Sequence, residues 1–215
     1  MRKVFQCVML AVAMVFAPVA IPVPAAADPI GDVRAQLDAL VIKGRGPKSG
    51  YHRSEFGDSW SDDVNVAGGH NGCDTRNDIL RRDLVDVVTN GCVVFNGVLN
   101  DPYTGETVAF QRGEDTSPLV QIDHIVALSD AWQKGAAQWD PVRRQEFAND
   151  PRNLQATIGW INKQKGDGDA ATWLPPNKSY RCVYVSRIVE VKSAYQLWVT
   201  QSEHDAIARV LDQCG

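Results

Sequence analysis

Apolar positions change their period several times along the chain, and each change marks an expected element. Val33, Leu37, Leu40 and Val41 fall at helical spacing over about 32–42, until Lys43-Gly44-Arg45-Gly46-Pro47 stops the pattern. Residues 48–72 then lose periodicity and are rich in Gly, Ser and Asp, which predicts an ordered loop anchored by Tyr51, Phe56 and Trp60. His52 and His70 fall in this loop, where turn positions are the simpler account of both. A second helix is expected over 76–88, capped by Asp74 or Thr75, with Ile79, Leu80, Leu84, Val87 and Val88 on one side and Asn90-Gly91 as its stop. Val93-Val94-Phe95, Val98-Leu99 and 107–110 read as short strands in hairpins, with Asn96-Gly97 and Asp101-Pro102-Tyr103-Thr104-Gly105 as turns.

Leu119-Val120-Gln121-Ile122-Asp123 has strand character, so Asp123 and His124 emerge where that strand ends. Helices are expected over 128–135 and 141–149, the second opened by Asp140 as cap and Pro141 in the first helical position, where a missing N–H is harmless. Asp150-Pro151 breaks the run before an extended piece, Arg152-Asn153-Leu154-Gln155, and a helix over 157–165 ends at Gly166. Trp173-Leu174-Pro175-Pro176 forms an extended cover. Tyr184, Ile188, Val191 and Tyr195 make a helical face, although the β-branched run 183–191 also suits a strand. Thr200-Gln201-Ser202-Glu203 is a capping box opening a last helix, with Ile207, Val210 and Leu211 inward and His204 on the exposed side. This mixture of hairpins and helices is an α+β pattern.

The amino end belongs to none of these elements. Arg2 and Lys3 precede an apolar run from Val4 to Val23, interrupted by Pro18 and Pro22 and closed by Ala25-Ala26-Ala27. That is the layout of a secretory signal peptide over 1–27, leaving a single domain over 28–215, a secreted location and no stable membrane association after cleavage. A monomer is the default expectation. The rest of the chain keeps Cys73, Cys92, Cys182 and Cys214, an even count that in an exported protein argues for disulfides. Three pairings are open, and proximity favours Cys73 with Cys92 and Cys182 with Cys214. No C-x-x-C spacing supports a zinc site.

The formal net charge of −4 is unusual for a polyanion binder, but its distribution is uneven. Between Lys134 and Lys165 lie six basic residues (Lys134, Arg143, Arg144, Arg152, Lys163, Lys165) against three acids (Asp140, Glu146, Asp150). Arg152 and Lys165 are therefore candidates to contact a phosphate backbone, and Arg76 can reach one from the second helix. Solvated surface charge is the alternative for most of these side chains.

Phosphodiester hydrolysis needs a base for water, a cation to offset transition-state charge and help for the departing oxygen. His124 suits the base, since imidazole titrates nearest neutrality. Asp123 and Asn162 are hard oxygen donors suited to Mg2+ or Mn2+ rather than Zn2+. Asn153 could bond one ring nitrogen of His124, fix its tautomer and leave the other nitrogen free.

Ile122-Asp123-His124-Ile125-Val126, Asn153-Leu154 and Asn162-Lys163-Gln164-Lys165-Gly166-Asp167 resemble the three elements of HNH endonucleases. The chain is more closely similar to small secreted bacterial HNH nucleases related to the nuclease domain of modification-dependent restriction enzymes. Cys73-Asp74-Thr75-Arg76, Phe147-Ala148-Asn149-Asp150, Trp173-Leu174-Pro175-Pro176 and Cys182-Val183-Tyr184 extend the likeness over nearly all of the chain after the leader. It implies a ββα-metal core surrounded by helices and short hairpins, with one divalent ion on Asp123 and Asn162, His124 as general base and Asn153 orienting it. It also favours helix over strand at 183–191. Ala127 stands where the motif often has proline, Asn162 where the name-giving pattern has its last histidine, and a long helical insertion separates His124 from Asn153. The expected activity is endonucleolytic cleavage of DNA, with RNA as a further substrate. A nuclease fold that only binds, or a phosphoesterase for a small substrate, are the alternatives.

Overall fold

The computed structural model describes residues 29–214, so the expected leader at 1–27 lies outside them. Helix α1, Pro29–Ala39, sits where the first helical pattern predicts it and buries Leu37. The loop that follows is anchored as expected: Phe56 is fully buried, while Tyr51 and Trp60 pack on the core edge.

The second expected helix divides into two elements. Helix α2 covers Thr75–Asp83, capped by Asp74, whose carboxylate accepts from the Asn77 N–H. The chain then extends as strand β1, Leu84–Asn90, antiparallel to β2, Val93–Asn100. Val85, Val87, Val88 and Thr89 are β-branched and favour a pleated strand over a helix. Gly91 opens the two-residue turn between the strands at φ 57°. Asn96-Gly97 is therefore no turn but an interior stretch of β2. It faces an irregularity in β1 between Val85 and Val88, where Asp86 adopts φ 52°. A Cβ at Gly97 would come within 3.0 Å of the Leu84 side chain, so glycine permits this close approach. Strand β3, Thr107–Gln111, completes a sheet of order β1-β2-β3.

The 101–105 turn does form, and it links the two sheets. One oxygen of buried Asp101 accepts from Thr104 N and Oγ1, and the other accepts from Thr157 Oγ1 at 2.6 Å. Thr157 belongs to the second sheet, in which β4, Val120–His124, pairs antiparallel with β5, Leu154–Ile158. Helix α5, Gly159–Lys165, follows β5 directly and packs on both strands. The helix expected from 157 thus starts two residues later, because the strand claims Thr157 and Ile158. At Gly159 a Cβ would lie 2.4 Å from the Pro118 carbonyl oxygen, which makes this strand-to-helix junction a place for glycine.

Between β4 and β5 the chain forms α3, Leu128–Gln133, and α4, Pro141–Asn149, the latter capped by Asp140 as its sequence predicts. Beyond α5, helix α6 spans Arg181–Tyr195 and α7 spans Gln201–Leu211. Tyr184, Ile188, Val191 and Tyr195 are buried on α6, so 183–191 is helical. The last capping box is half formed. Thr200 Oγ1 accepts from Glu203 N, but the Glu203 carboxylate turns inward to Lys134 (2.6 Å) and Lys192 (2.7 Å). His204 is only 18% exposed, with Asp38 and Asp205 beside it, and is not the free surface group expected.

Both favoured disulfides are present, Cys73–Cys92 and Cys182–Cys214. The first brackets α2 and β1; the second ties the start of α6 to the end of α7. Loops of this size contribute about 3 kcal/mol each by restricting the unfolded chain. Arg45, Lys134 and Lys192 meet Asp130, Asp169 and Glu203 in a largely buried cluster that joins the loop after α1 to α3, α6 and α7.

Candidate active site

The carboxyl end of β4 delivers Asp123 and His124 to a cavity of about 300 Å³ that Asn162 of α5 also lines. The imidazole Nε2 lies 2.9 Å from the Ala148 carbonyl oxygen, in the last turn of α4. A carbonyl only accepts, so Nε2 carries the ring proton and Nδ1 keeps its lone pair. The Trp60 ring stacks over His124 at 5.8 Å between centroids and 11° between planes. Burial and the Arg53 charge, helped by Lys165 and opposed by the Ala148 hydrogen bond, push the His124 pKa down to about 3. The ring is therefore neutral over the physiological range.

Asp123 is buried and gripped on both oxygens. Tyr103 Oη donates to Oδ2 at 2.7 Å, and Lys165 Nζ lies 2.9 Å from Oδ1 while also donating to the His124 carbonyl at 2.7 Å. Burial raises the Asp123 pKa, and the Lys165 charge and these hydrogen bonds hold back the rise. Asn162 Nδ2 donates to Gln121 Oε1 at 2.9 Å, which leaves Oδ1 as its donor atom for a ligand.

Several expected partners are rearranged. Asn153 does not orient His124. Its Oδ1 accepts from Val126 N at 2.8 Å, its Nδ2 donates to Val126 O, and its own carbonyl accepts from Ile125 N. It fixes the backbone of the turn just after His124, and Ala148 supplies the ring's partner. Lys165 is not a surface phosphate contact, because its buried ammonium neutralises Asp123. Arg76 donates to the carbonyls of Val120 and Ser117 and so clamps the start of β4. Arg152 pairs with Asp150 at 2.6 Å and lines a different hollow with Tyr195.

Two cations that sequence reasoning missed do line the site. Arg53 faces both hollows that His124 lines, and its side chain makes no hydrogen bond or ion pair among the described residues. Lys48 lines the cavity beside Asp167, its partner at 2.8 Å. Both come from the aperiodic 48–72 loop, where the only signal was the row of aromatic anchors that pins it down.

Asp123 and Asn162 line one cavity and carry hard oxygens of the kind that would hold Mg2+ or Mn2+. A carboxylate has about four acceptor sites, so Tyr103 and Lys165 do not exhaust Asp123. Among the described residues no three His, Cys, Asp or Glu side chains converge as a metal-ligating group. A cation here would take most of its shell from water and substrate.

Residues 74–210, well over half of the chain, match the family model of the C-terminal domain of GmrSD restriction endonucleases. The chain belongs to that family. The GmrSD C-terminal domain match contains β4, β5 and α5 with Asp123, His124, Asn153 and Asn162, and leaves Lys48 and Arg53 outside it. The protein is also 36% identical over 217 residues to a protein of Arthroderma benhamiae named as an uncharacterized secreted protein, with the whole of both chains covered. That relative is fungal, so the comparison does not bear out the bacterial origin expected from the sequence. No solved structure matches. This member of the GmrSD C-terminal domain family is a secreted protein, and its two disulfides suit an oxidising compartment. Its relation to the nuclease-related family makes nucleic acid the substrate class to consider. Among the described residues no helix is long and apolar enough to cross a membrane.

Proposed function

We propose that this protein is a secreted, metal-dependent HNH endonuclease that hydrolyses phosphodiester bonds in DNA, with RNA as a further substrate. The observation that carries the reading is the neutral His124 ring, fixed through Nε2 by the Ala148 carbonyl, on one cavity with Asp123 and Asn162. In this reading β4, β5 and α5 are the ββα-metal unit, and the mature chain is one domain beginning at Asp28. Nδ1 of His124 takes the proton from the attacking water. Trp60 covers one face of the ring and limits its freedom. Asp123 and Asn162 would hold Mg2+ or Mn2+, and the ion would supply positive charge against the phosphorane-like transition state and its departing oxygen. Tyr103 and Lys165 aim the Asp123 carboxylate, and Asn153 holds the turn that separates Asp123 and His124 from α3.

Arg53 and Lys48 draw the phosphate into the cavity and oppose its growing negative charge. Burial and, after it, the Arg53 charge keep His124 neutral in the free protein; an arriving phosphodiester anion offsets the Arg53 charge, so Nδ1 becomes more basic once substrate is in place.

Incubating the mature protein with supercoiled plasmid and Mg2+ or Mn2+ should give nicked and linear forms, abolished by EDTA. His124→Ala should lower the rate by about 10²–10⁴-fold, the usual contribution of a general base. Cleavage by His124→Ala at the unmodified rate would overturn the assignment. DNA binding without any metal-dependent cleavage would replace the enzyme with a binding module.

A further inference from the structure

A second hollow, of about 430 Å³, opens between the 170–174 loop, the start of α6 and the outer face of α7. Lys178, Arg181 and Arg209 line it and no carboxylate does, in a chain whose formal net charge is −4. Lys48 by contrast stands beside Asp167, and Arg34 beside Asp212. Here Lys178 and Arg209 are exposed, and their side chains make no hydrogen bond or ion pair among the described residues. Arg181 Nε donates to the Pro175 carbonyl at 2.7 Å, which holds the guanidinium in place and leaves its other N–H groups for a ligand. Like charges gathered in a concavity repel one another and attract anions. Ala171, Leu174 and Val210 add an apolar wall suited to a sugar or base beside a phosphate.

One loop connects this hollow to the His124 cavity. Asp167 lines that cavity; Gly168, Thr172 and Trp173 line an adjoining hollow that shares Lys48 and Asp167 with it; Ala170, Ala171 and Leu174 line the basic one. The three steps from Asp167 to Ala170 span at most about 11 Å of Cα path. The two hollows therefore border on one short loop.

We propose that the Lys178–Arg181–Arg209 hollow is a second phosphate site, which grips a polynucleotide backbone on the strand whose scissile bond is held at His124. The position of that bond rests on the endonuclease reading. Such a grip is indifferent to base sequence and favours long chains over short ones.

The test uses the full mature chain carrying His124→Ala, in EDTA, with anisotropy of a long labelled DNA strand followed against salt concentration. Adding Lys178→Glu and Arg209→Glu should weaken binding at low salt about tenfold or more. It should also reduce the slope of log affinity against log salt by roughly 1.5–2, as expected for two lost phosphate contacts. The charge-matched pair Lys43→Glu and Arg81→Glu should keep the slope. An unchanged slope in the hollow variant, or equal losses in both pairs, would overturn the proposal. Displacement of the strand by inorganic phosphate, beyond that by chloride at equal ionic strength, that is the same with and without Lys178→Glu and Arg209→Glu would place the phosphate contacts elsewhere and would also overturn it. Plasmid cleavage by the unmodified chain is scored separately. If that fails while the slope still changes, the enzyme reading falls and the polynucleotide site stands.

Discussion

Asp123 is held between Tyr103 and Lys165 inside the protein, and this sets the consequence of removing either partner. Lys165→Met leaves a buried carboxylate without its counter-charge, which costs about 3–5 kcal/mol in comparable cases. Denaturant melts should show that loss, and the salt dependence of DNA binding should stay the same, as it would not for a surface contact. Arg53→Ala should act differently: stability within about 0.5 kcal/mol of the unmodified chain, as for most exposed positions, with a lower kcat and a raised KM on long DNA. That Asp123, His124 and Asn162 come to one cavity was legible through the HNH-like motifs, since an Asp-His pair by spacing alone is common. The job of Asn153 was not. An amide finds its partner from backbone geometry a few ångströms away, and a turn backbone was as available to it as a ring nitrogen. Arg53 was hidden because it is delivered to the site by the burial of Phe56, three residues on, and not by any periodicity of its own.

At the level of elements, α4 and α7 followed their caps, whereas the 76–90 stretch did not follow its helical stripe. Leu84, Val87 and Val88 satisfy a helical stripe as well as a strand, and only pairing with β2 decides between them. The same competition moved the start of α5 from 157 to 159. Gly159 is the hinge of that change, and Gly159→Ala is expected to destabilise the protein by about 1–3 kcal/mol, since its Cβ meets the Pro118 carbonyl and the strand-to-helix junction must shift. Thermal melting measures the cost. Restored stability in Gly159→Ala would show that the junction can relax without moving α5.

Across the whole molecule, the buried ion cluster binds the loop after α1 to three helices, and its behaviour with pH is fixed in sign. The Lys134 hydrogen bond and charge, with Arg45 and Lys192, overcome burial and hold Asp169 down to about 2. Its folded value lies below its unfolded one, so its contribution is present above about pH 4 and is lost as pH falls from 4 toward 2. Thermal midpoints should drop over that window, and Asp169→Asn should flatten the drop. A midpoint that falls equally in the variant would place the acid sensitivity elsewhere. The basic run at 134–165 was read from sequence as a polyanion surface, but Lys134, Arg144 and Lys165 face inward onto Asp130, Glu55 and Asp123. A count of charges along the chain is blind to which of them find partners on folding.

The ring of His124 leans on a main-chain oxygen, and main-chain atoms leave no spelling in a sequence. Any residue at position 148 presents the same carbonyl, so substitutions there are free to drift as far as aim is concerned. Length is another matter. One residue added or lost within α4 turns each later carbonyl by about 100° around the helix axis, and the imidazole loses its rest. The stretch from Pro141 to Ala148 is therefore expected to vary more readily in letters than in number, a ruler whose markings can change while its length stays fixed.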